Sequence, residues 1–495
     1  LGKDSITMKK PNVVIIMSDQ HNQQFMSCAG HPVVRTPAID SLASRGTRFE
    51  NAYCASPLCC PSRMAFMSGQ QASKINCLDN MRQLHSDTPT FAHMFSDSGY
   101  ETVLAGRMHF NGADQRHGFD KRIVSDVTAY AFRDTAQMVD ELLSNGPWYP
   151  GPNPNALRRS GPGKCSYEQF DQHVAGTAGQ WIAERESDQP FMLTVGFVLP
   201  HSPFVASQED FDTYDKLISE ADLPPWQEDL HPELKRYQDG SKLNDEPRVT
   251  LKDRRRTAVA YHAMCASLDR QVKVVLDALE AKGLTEDTII VYTSDHGEQL
   301  GKHGLWWKNT FYDGAVGIPM VVAGPGVAAG ATCSQNVSLI DLGQTLLDMA
   351  GCKPNPLAQG KSFKCLFEGK QAAWDDTVYA DNLWPPTSDC LHRMVKRGPW
   401  KLMHFEGFEP LLFNLDSDPD EMNNLATDPA SAKVLQELTV LLKKDWDPKA
   451  IMKEQKAFSK LGVMFRENRA KCDMPEPDVA WLRDIKVENY VDTSR

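Results

Sequence analysis

The sequence predicts an α/β protein, a mostly parallel sheet sandwiched by helices, followed by a smaller C-terminal α+β domain carrying an antiparallel sheet. Three observations carry this reading. The β-branched run PNVVIIMSD (residues 11–19) has the continuous apolar character of a strand buried on both faces. Helical segments then alternate with apolar strands. From about residue 375 the rhythm changes to short strands in quick succession.

In chain order, the opening strand delivers Asp19 at its carboxyl end. TPAIDSLASRG supplies a helix with Thr36 as cap, Pro37 at the first helical position and Gly46 as its close. TPTFAHMFSDSG leads into the strand YETVLAG, and YHAMCASLDRQVKVVLDALEAKG leads into TIIVYTSDHG, with FMLTVGFVLP a further apolar strand between them. Ligands of open parallel sheets sit beyond the strands' carboxyl ends. Asp19, the stretch Gly106 to His109, His201 and Asp295 are all expected at that edge.

Residues 125–185 and 205–255 are polar and weakly periodic, and read as long insertions over the sheet edge, where substrate selectivity commonly resides. DTVYAD, RMVKRGPWKLMHF and PLLFNLD, with a helix near 430–445, make the small domain. The expected boundaries are 8–370, 371–446 and a tail, 447–495, whose Trp481 and Tyr490 suit it to wrapping a second subunit as an oligomerisation segment.

A chain of 495 residues with 41% hydrophobic and 24% charged residues has ample material for a large core and a second, smaller domain. A net charge of −12 argues against a general nucleic-acid binder and leaves a local basic pocket as the place for an anion. No segment reaches the roughly 18 consecutive apolar residues of a membrane span, and LGKDSITMKKPN lacks the apolar core of a leader. The twelve cysteines form no Cys-x-x-Cys pair and suggest no disulfide framework. A cytoplasmic location is expected, or a periplasmic one with the leader already removed.

The chemistry centres on NAYCASPLCCPSRMAFMSGQ, residues 51–70. On its own, a Cys-Cys-Pro before a helix is more often a buried apolar turn than a reactive centre. Asp19 and Asp295 at strand ends could equally be helix caps, and His109 and His201 core histidines, as could His117 and His303. Trp306, Trp307 and Trp384 read as packing more readily than as a cage for a cation.

The run from Cys59 to Gly69 resembles the signature of type I sulfatases in the alkaline phosphatase superfamily. There the first Cys of Cys-x-Pro-x-Arg is oxidised by a maturation enzyme to Cα-formylglycine. Only Cys59 is in register; Cys60 has its proline one place too early. The resemblance extends through GRMH (106–109), PHSP (200–203), SDHG (294–297), Lys308 and LFNLDSDPDEMNNL (412–425). Within the family, SDQHN, SPLCCPSR, GRMHFNGADQRHGF and SDHGEQLGKHGLWWK look most like choline sulfatases and phosphonate monoester hydrolases.

The resemblance implies an alkaline-phosphatase-like fold and a definite set of roles. Arg63 would hold the formylglycine hydrate, Arg107 and Lys308 would face the sulfate oxygens, His109 would take the hydrate proton, and His201 would protonate the leaving oxygen. Asp19, Gln20, Asp295, His296 and residue 59 would bind one divalent ion. The commoner pattern has a third carboxylate at the place of Gln20 and an asparagine at that of His296. The amide and imidazole shift the balance from Ca²⁺, the first expectation, toward Mn²⁺. Arg107 stands where the family usually has lysine, and a planar fork meets an oxyanion differently from a point charge.

The substrate expected is a small sulfate monoester, first a sulfated carbohydrate, with choline sulfate as the alternative. Two other readings remain at this stage, a phosphonate monoester or phosphodiester hydrolase and a noncatalytic binder of sulfated glycans.

Overall fold

The computed structural model describes residues 10–112, 114–127, 151–227, 229–370, 373–385, 388–469 and 490–492. Its first strand, β1 (Asn12–Ser18), lies in the middle of an eight-stranded sheet and is buried at every position. It pairs in parallel with a strand on each side, Ile15 standing opposite both Thr194 and Val291. Alternate residues therefore serve two cores: Val14 and Ile16 enter one layer, while Val13, Ile15 and Met17 enter the other. Burial of each such side chain contributes about 1.5–3 kcal/mol.

The other strands of this sheet are β2 (Gly46–Tyr53), β3 (Glu101–Gly106), β4 (Lys121–Val124), β6 (Phe191–Gly196), β8 (Thr288–Ser294), β9 (Met320–Ala323) and β10 (Ala331–Ser338). Their order is β10-β2-β9-β8-β1-β6-β3-β4. Only β9 runs against its neighbours β2 and β8; all other pairings are parallel. A small separate sheet joins β5 (Gly161–Lys164) to β7 (Val205–Ala206).

The helices are α1 (Pro37–Ser44), α2 (Cys59–Ser68), α3 (Phe91–Asp97), α4 (Ser166–Ala183), α5 (Leu251–Ala281) and α6 (Leu339–Met349), with shorter turns between them. α4 and α5 pack together on the face that receives Val14 and Ile16, and α2 and α6 lie on the opposite face. Two local expectations change. The Thr36 side chain does not cap α1; the exposed amides of Ala38 and Ile39 are taken by the Asp269 carboxylate of α5, both at 2.9 Å. Gly46 opens β2 rather than closing the helix.

The polar stretches expected as insertions contain more regular structure than their weak periodicity suggested. α4 spans 18 residues and presents Phe170, Val174, Ala178 and Ile182 to the core. Residues 208–215 and 232–240 are also helical. Residues 128–150 of the first stretch lie outside the described ones.

A four-stranded antiparallel sheet follows: β11 (Thr377–Asn382), β12 (His392–Arg397), β13 (Trp400–Phe405) and β14 (Leu411–Asn414), paired consecutively. Alternation again divides its side chains. Val395, Leu402 and Leu412 pack under α7 (Ala432–Lys443) with Leu438 and Leu442, whereas Met394 and Met403 join the core that holds Val13. Beyond it lies α8 (Pro448–Arg469). Tyr490–Val491 forms β15, antiparallel to β5 of the same chain. Trp481 lies outside the described residues. Among those described, no helix is long and apolar enough to cross a membrane.

Candidate active site

Topology puts the sequence's candidates at one place. β8, β1, β6 and β3 are neighbours and all parallel, so their carboxyl ends share one edge. Asp19 and Gln20 follow β1, Arg107 and His109 follow β3, His201 comes five residues after β6, and Asp295 and His296 follow β8. The turn after β3 depends on Gly196, because a Cβ there would lie 1.8 Å from the Arg107 carbonyl oxygen. Cys59 is the first residue of α2, where the helix dipole favours negative charge.

The Cys59 Sγ lies 3.1 Å from His296 Nε2 and 3.7 Å from Asp19 Oδ1. His296 Nε2 is 3.6 Å from Asp19 Oδ1 and 3.7 Å from Asp295 Oδ1, while its Nδ1 is 3.0 Å from the Gly297 carbonyl. One ligand-type atom from each of Asp19, Cys59, Asp295 and His296 falls within 4.8 Å of the others, and all four residues are buried. Ions bound at about 2.3–2.6 Å place opposing ligands at such separations, so the donor set fits a divalent ion.

Three cations surround these carboxylates. Arg63 donates from Nε to Asp295 Oδ2 at 2.7 Å, and from Nη2 to Asp19 Oδ2 at 3.3 Å and the Ser18 carbonyl at 3.2 Å. Arg107 donates from Nε to Asp19 Oδ2 at 2.6 Å, and its Nη2 lies 3.3 Å from His109 Nδ1. Lys308 reaches the Gln20 side-chain oxygen and His201 Nε2, the latter at 2.8 Å.

Ionisation follows from this crowding. Burial and the nearby Cys59 oppose charge on Asp19, but Arg107, His201 and Arg63 hold its carboxyl well below the usual range. At Asp295 burial outweighs Arg63 and the carboxyl is pushed up. Burial also opposes ionisation of the Cys59 thiol, yet Lys308 and His296, with hydrogen bonds to His109 and His201, bring it well below an ordinary thiol. His201 is pushed down by burial and by Lys308.

All ten residues singled out from the sequence, Asp19, Gln20, Cys59, Arg63, Arg107, His109, His201, Asp295, His296 and Lys308, thus fall into one contact network. The two histidines held back stay outside it: His117 pairs with Asp114 at 3.4 Å, and His303 stacks on Tyr312 with ring centres 3.8 Å apart. Trp306 and Trp307 are each 1% exposed and belong to the core. Two carboxylates were missed. Asp126 accepts from the amides of Met108 and His109 at 3.0 and 2.7 Å and lies 3.5 Å from Arg107 Nη1. Glu298 accepts from the Gln20 side-chain amide at 2.5 Å.

The family model described as sulfatase matches residues 11–352. The chain belongs to the sulfatase family. A second model, N-sulphoglucosamine sulphohydrolase, C-terminal, matches residues 301–447 of this sulfatase. The choline-sulfatase of Rhizobium meliloti (strain 1021) is 33% identical over 439 residues, covering 86% of this chain and 84% of that one. In fold, the sulfatase superposes on the phosphonate monoester hydrolase of Agrobacterium radiobacter with a TM-score of 0.72 at 23% identity, over 90% of this chain and 96% of that one. It superposes with a TM-score of 0.70 at 22% identity on a protein solved in complex with its substrate D-glucosamine-2-N,6-O-disulfate, over 90% and 99% of the two chains.

The sulfatase therefore hydrolyses sulfate esters, and its fold is that of the alkaline phosphatase superfamily, as the motifs implied. A formylglycine and a divalent metal are typical of the family, and the buried Asp19, Cys59, Asp295 and His296 cluster provides a site of that kind.

Proposed function

We propose that this sulfatase removes sulfate from a sugar, releasing inorganic sulfate and the free hydroxyl. The observation that carries the catalytic part is the position of Cys59, at a helix N-terminus and against the Asp19 and His296 side chains. Its sulfur stands in for the oxygen of a formylglycine made from the same residue by a maturation enzyme. Asp19, Asp295, His296 and residue 59, with Gln20 beside them, would hold a divalent ion, first Ca²⁺ and alternatively Mn²⁺. When bound, such an ion supplies positive charge to the sulfate oxygens and acidifies a hydroxyl on the formylglycine.

The chain's own groups then divide the work. Arg63 fixes the two carboxylates. Arg107, pinned by Asp19 and Asp126, orients His109 and presents charge toward the sulfate. His109 takes the proton of the attacking hydroxyl. His201 Nε2 accepts from Lys308 at 2.8 Å, while its Nδ1 bonds the Ser202 carbonyl. With the ring held neutral, the proton reaching the leaving oxygen is drawn from the Lys308–His201 pair, and Lys308 also balances the departing sulfate.

The small sheet is joined to the segments that carry the site. Asn382 at the end of β11 donates to the carbonyl of Asn309, which follows Lys308, at 2.8 Å, and the Asp381 amide donates to the carbonyl of Ala55, four residues before Cys59, at 2.9 Å. These bonds tie the small sheet to the segments that carry Lys308 and Cys59, and the sugar reading is supported by the C-terminal family model matched over this part of the chain. The matched C-terminal model carries the name of a sulfoglucosamine hydrolase. Choline sulfate is the second reading, favoured by the 33% identity to a choline-sulfatase. Against it, the tryptophans beside Lys308 are core residues and offer no open face to a quaternary ammonium.

The test is a substrate panel on one preparation matured with a formylglycine-generating enzyme: sulfated mono- and disaccharides, choline sulfate, an aryl sulfate and an aryl phosphonate. The highest kcat/KM on a sugar sulfate is expected. Choline sulfate leading the panel would select the second reading, and a strong phosphonate preference would overturn both.

A further inference from the structure

Glu298 is wholly buried, directly after the Ser294–Gly297 stretch, and it holds two separate parts of the site. Its Oε1 accepts from the amides of Leu300 at 2.8 Å and Trp307 at 2.6 Å. Its Oε2 accepts from Gln20 Nε2 at 2.5 Å. The other end of the Gln20 amide, its oxygen, accepts from Lys308 Nζ, which continues to His201 Nε2 at 2.8 Å.

The direction of this string is fixed by chemistry. An ammonium only donates and a carboxylate only accepts, so the amide between them has one orientation, with its oxygen toward Lys308. Trp307 immediately precedes Lys308, so the same carboxylate also fixes where the lysine leaves the backbone.

We propose that Glu298 is a positioning residue for the sulfatase reaction, and that the Gln20–Glu298 pair sets the place of Lys308. The negative charge of Glu298 lies one hydrogen bond beyond Gln20, whose backbone amide donates to Asp295 Oδ1 at 3.2 Å. Lys308 is aimed by the pair from both its side-chain and backbone ends. This inference rests on the sulfatase reading of the site.

The pair makes a reciprocal prediction. Glu298→Gln keeps an acceptor for the Leu300 and Trp307 amides, so the loop stays held, but it sets an NH₂ against the NH₂ of Gln20. Relief requires Gln20 to turn its own NH₂ toward Lys308. Gln20→Glu sets two carboxylates face to face. The double variant Q20E/E298Q restores donor to acceptor at the same net charge.

The experiment is a double-mutant cycle with two readouts on full-length protein: calorimetric titration of Ca²⁺ and of Mn²⁺ into chelator-stripped samples, and kcat and KM on the best sulfate ester. Each single variant is expected to lose about 10–100-fold in ion affinity and in kcat. The double variant is expected to recover at least about tenfold over either single in both readouts. Strictly multiplicative losses in the double variant, with wild type binding the ion and turning over the ester, would overturn this inference alone. Wild type that neither binds an ion nor turns over any sulfate ester would overturn the mechanism it rests on, and this inference with it.

Discussion

Arg63 Nε and Asp295 Oδ2 meet at 2.7 Å with both side chains wholly shut off from solvent. The same guanidinium reaches Asp19 Oδ2 at 3.3 Å, so one buried cation is shared by two carboxylates that face one ion site. Removing a partner from such a pair leaves an uncompensated charge, at a cost of about 3–5 kcal/mol. Arg63→Met is therefore expected to lower the unfolding free energy of chelator-treated protein, obtained from urea titration, by that amount, with a correspondingly lower urea midpoint. Added Ca²⁺ or Mn²⁺ should recover more stability in the variant than in wild type. Equal midpoints for the two proteins would show that Arg107 alone compensates both carboxylates.

Modification at Cys59 is read directly from the tryptic peptide FENAYCASPLCCPSR, residues 49–63. Protein made alongside a maturation enzyme should show an aldehyde at Cys59 and thiols at Cys54 and Cys60. Cys60 is turned away from the site, its Sγ 3.7 Å from that of Cys77. Cys59→Ser should reduce turnover by about 10³-fold or more, since a member of the reacting set is removed. A thiol retained at Cys59 in fully active protein would contradict the proposed nucleophile.

The parallel sheet was legible because periodicity reports strands locally, whereas the residues now seen in one contact network were named chiefly from the resemblance of short motifs to a family signature. β1 reads as a strand buried on both faces, and the short motifs bring their own side chains to the strand ends. What escaped the sequence depends on contacts between distant segments. Asp269 caps α1 from 230 residues away, so nothing near Thr36 could announce it. α4 looked like a loop because its apolar positions are interrupted by polar side chains, and its fit against α5 decides the conformation. Asp126 lies in a stretch without periodicity, and only the fold brings it to the His109 amide. Glu298 had a local signal, an acid directly after SDHG, but its partner Gln20 is 278 residues away.

Asp126→Asn tests whether the carboxylate behind His109 contributes to turnover. The side chain accepts two backbone amides through Oδ2 and faces Arg107, so it sets both the turn that carries His109 and the arginine beside it. Asparagine can still accept the amides through its oxygen but loses the charge opposite Arg107. The expected result is a fall in kcat of about 10–100-fold with little change in Tm. An unchanged kcat would assign Asp126 to the turn alone.

Stability toward acid depends on groups away from the strand-end site. His31 and His262 meet edge to face at 5.1 Å around Phe25. His31 Nδ1 accepts from the amides of Val33 at 3.2 Å and Val34 at 3.0 Å, so a proton there would break both bonds. Burial, aided by Arg35 at His31 and by His31 at His262, pushes each ring down to about 4 from 6.5. Between those values the unfolded chain binds protons that the folded chain refuses. Stability is therefore present in full above pH 6.5 and is lost as the pH falls toward 4. The slope approaches about 1.4 kcal/mol per pH unit for His262 and is smaller for His31, which water still reaches. Urea midpoints measured across this window should fall steeply in wild type. In His31→Asn/His262→Gln they should fall less, because asparagine can accept the same amides and neither replacement titrates. Parallel slopes in the two proteins would show that these rings take up their protons without opposing the fold.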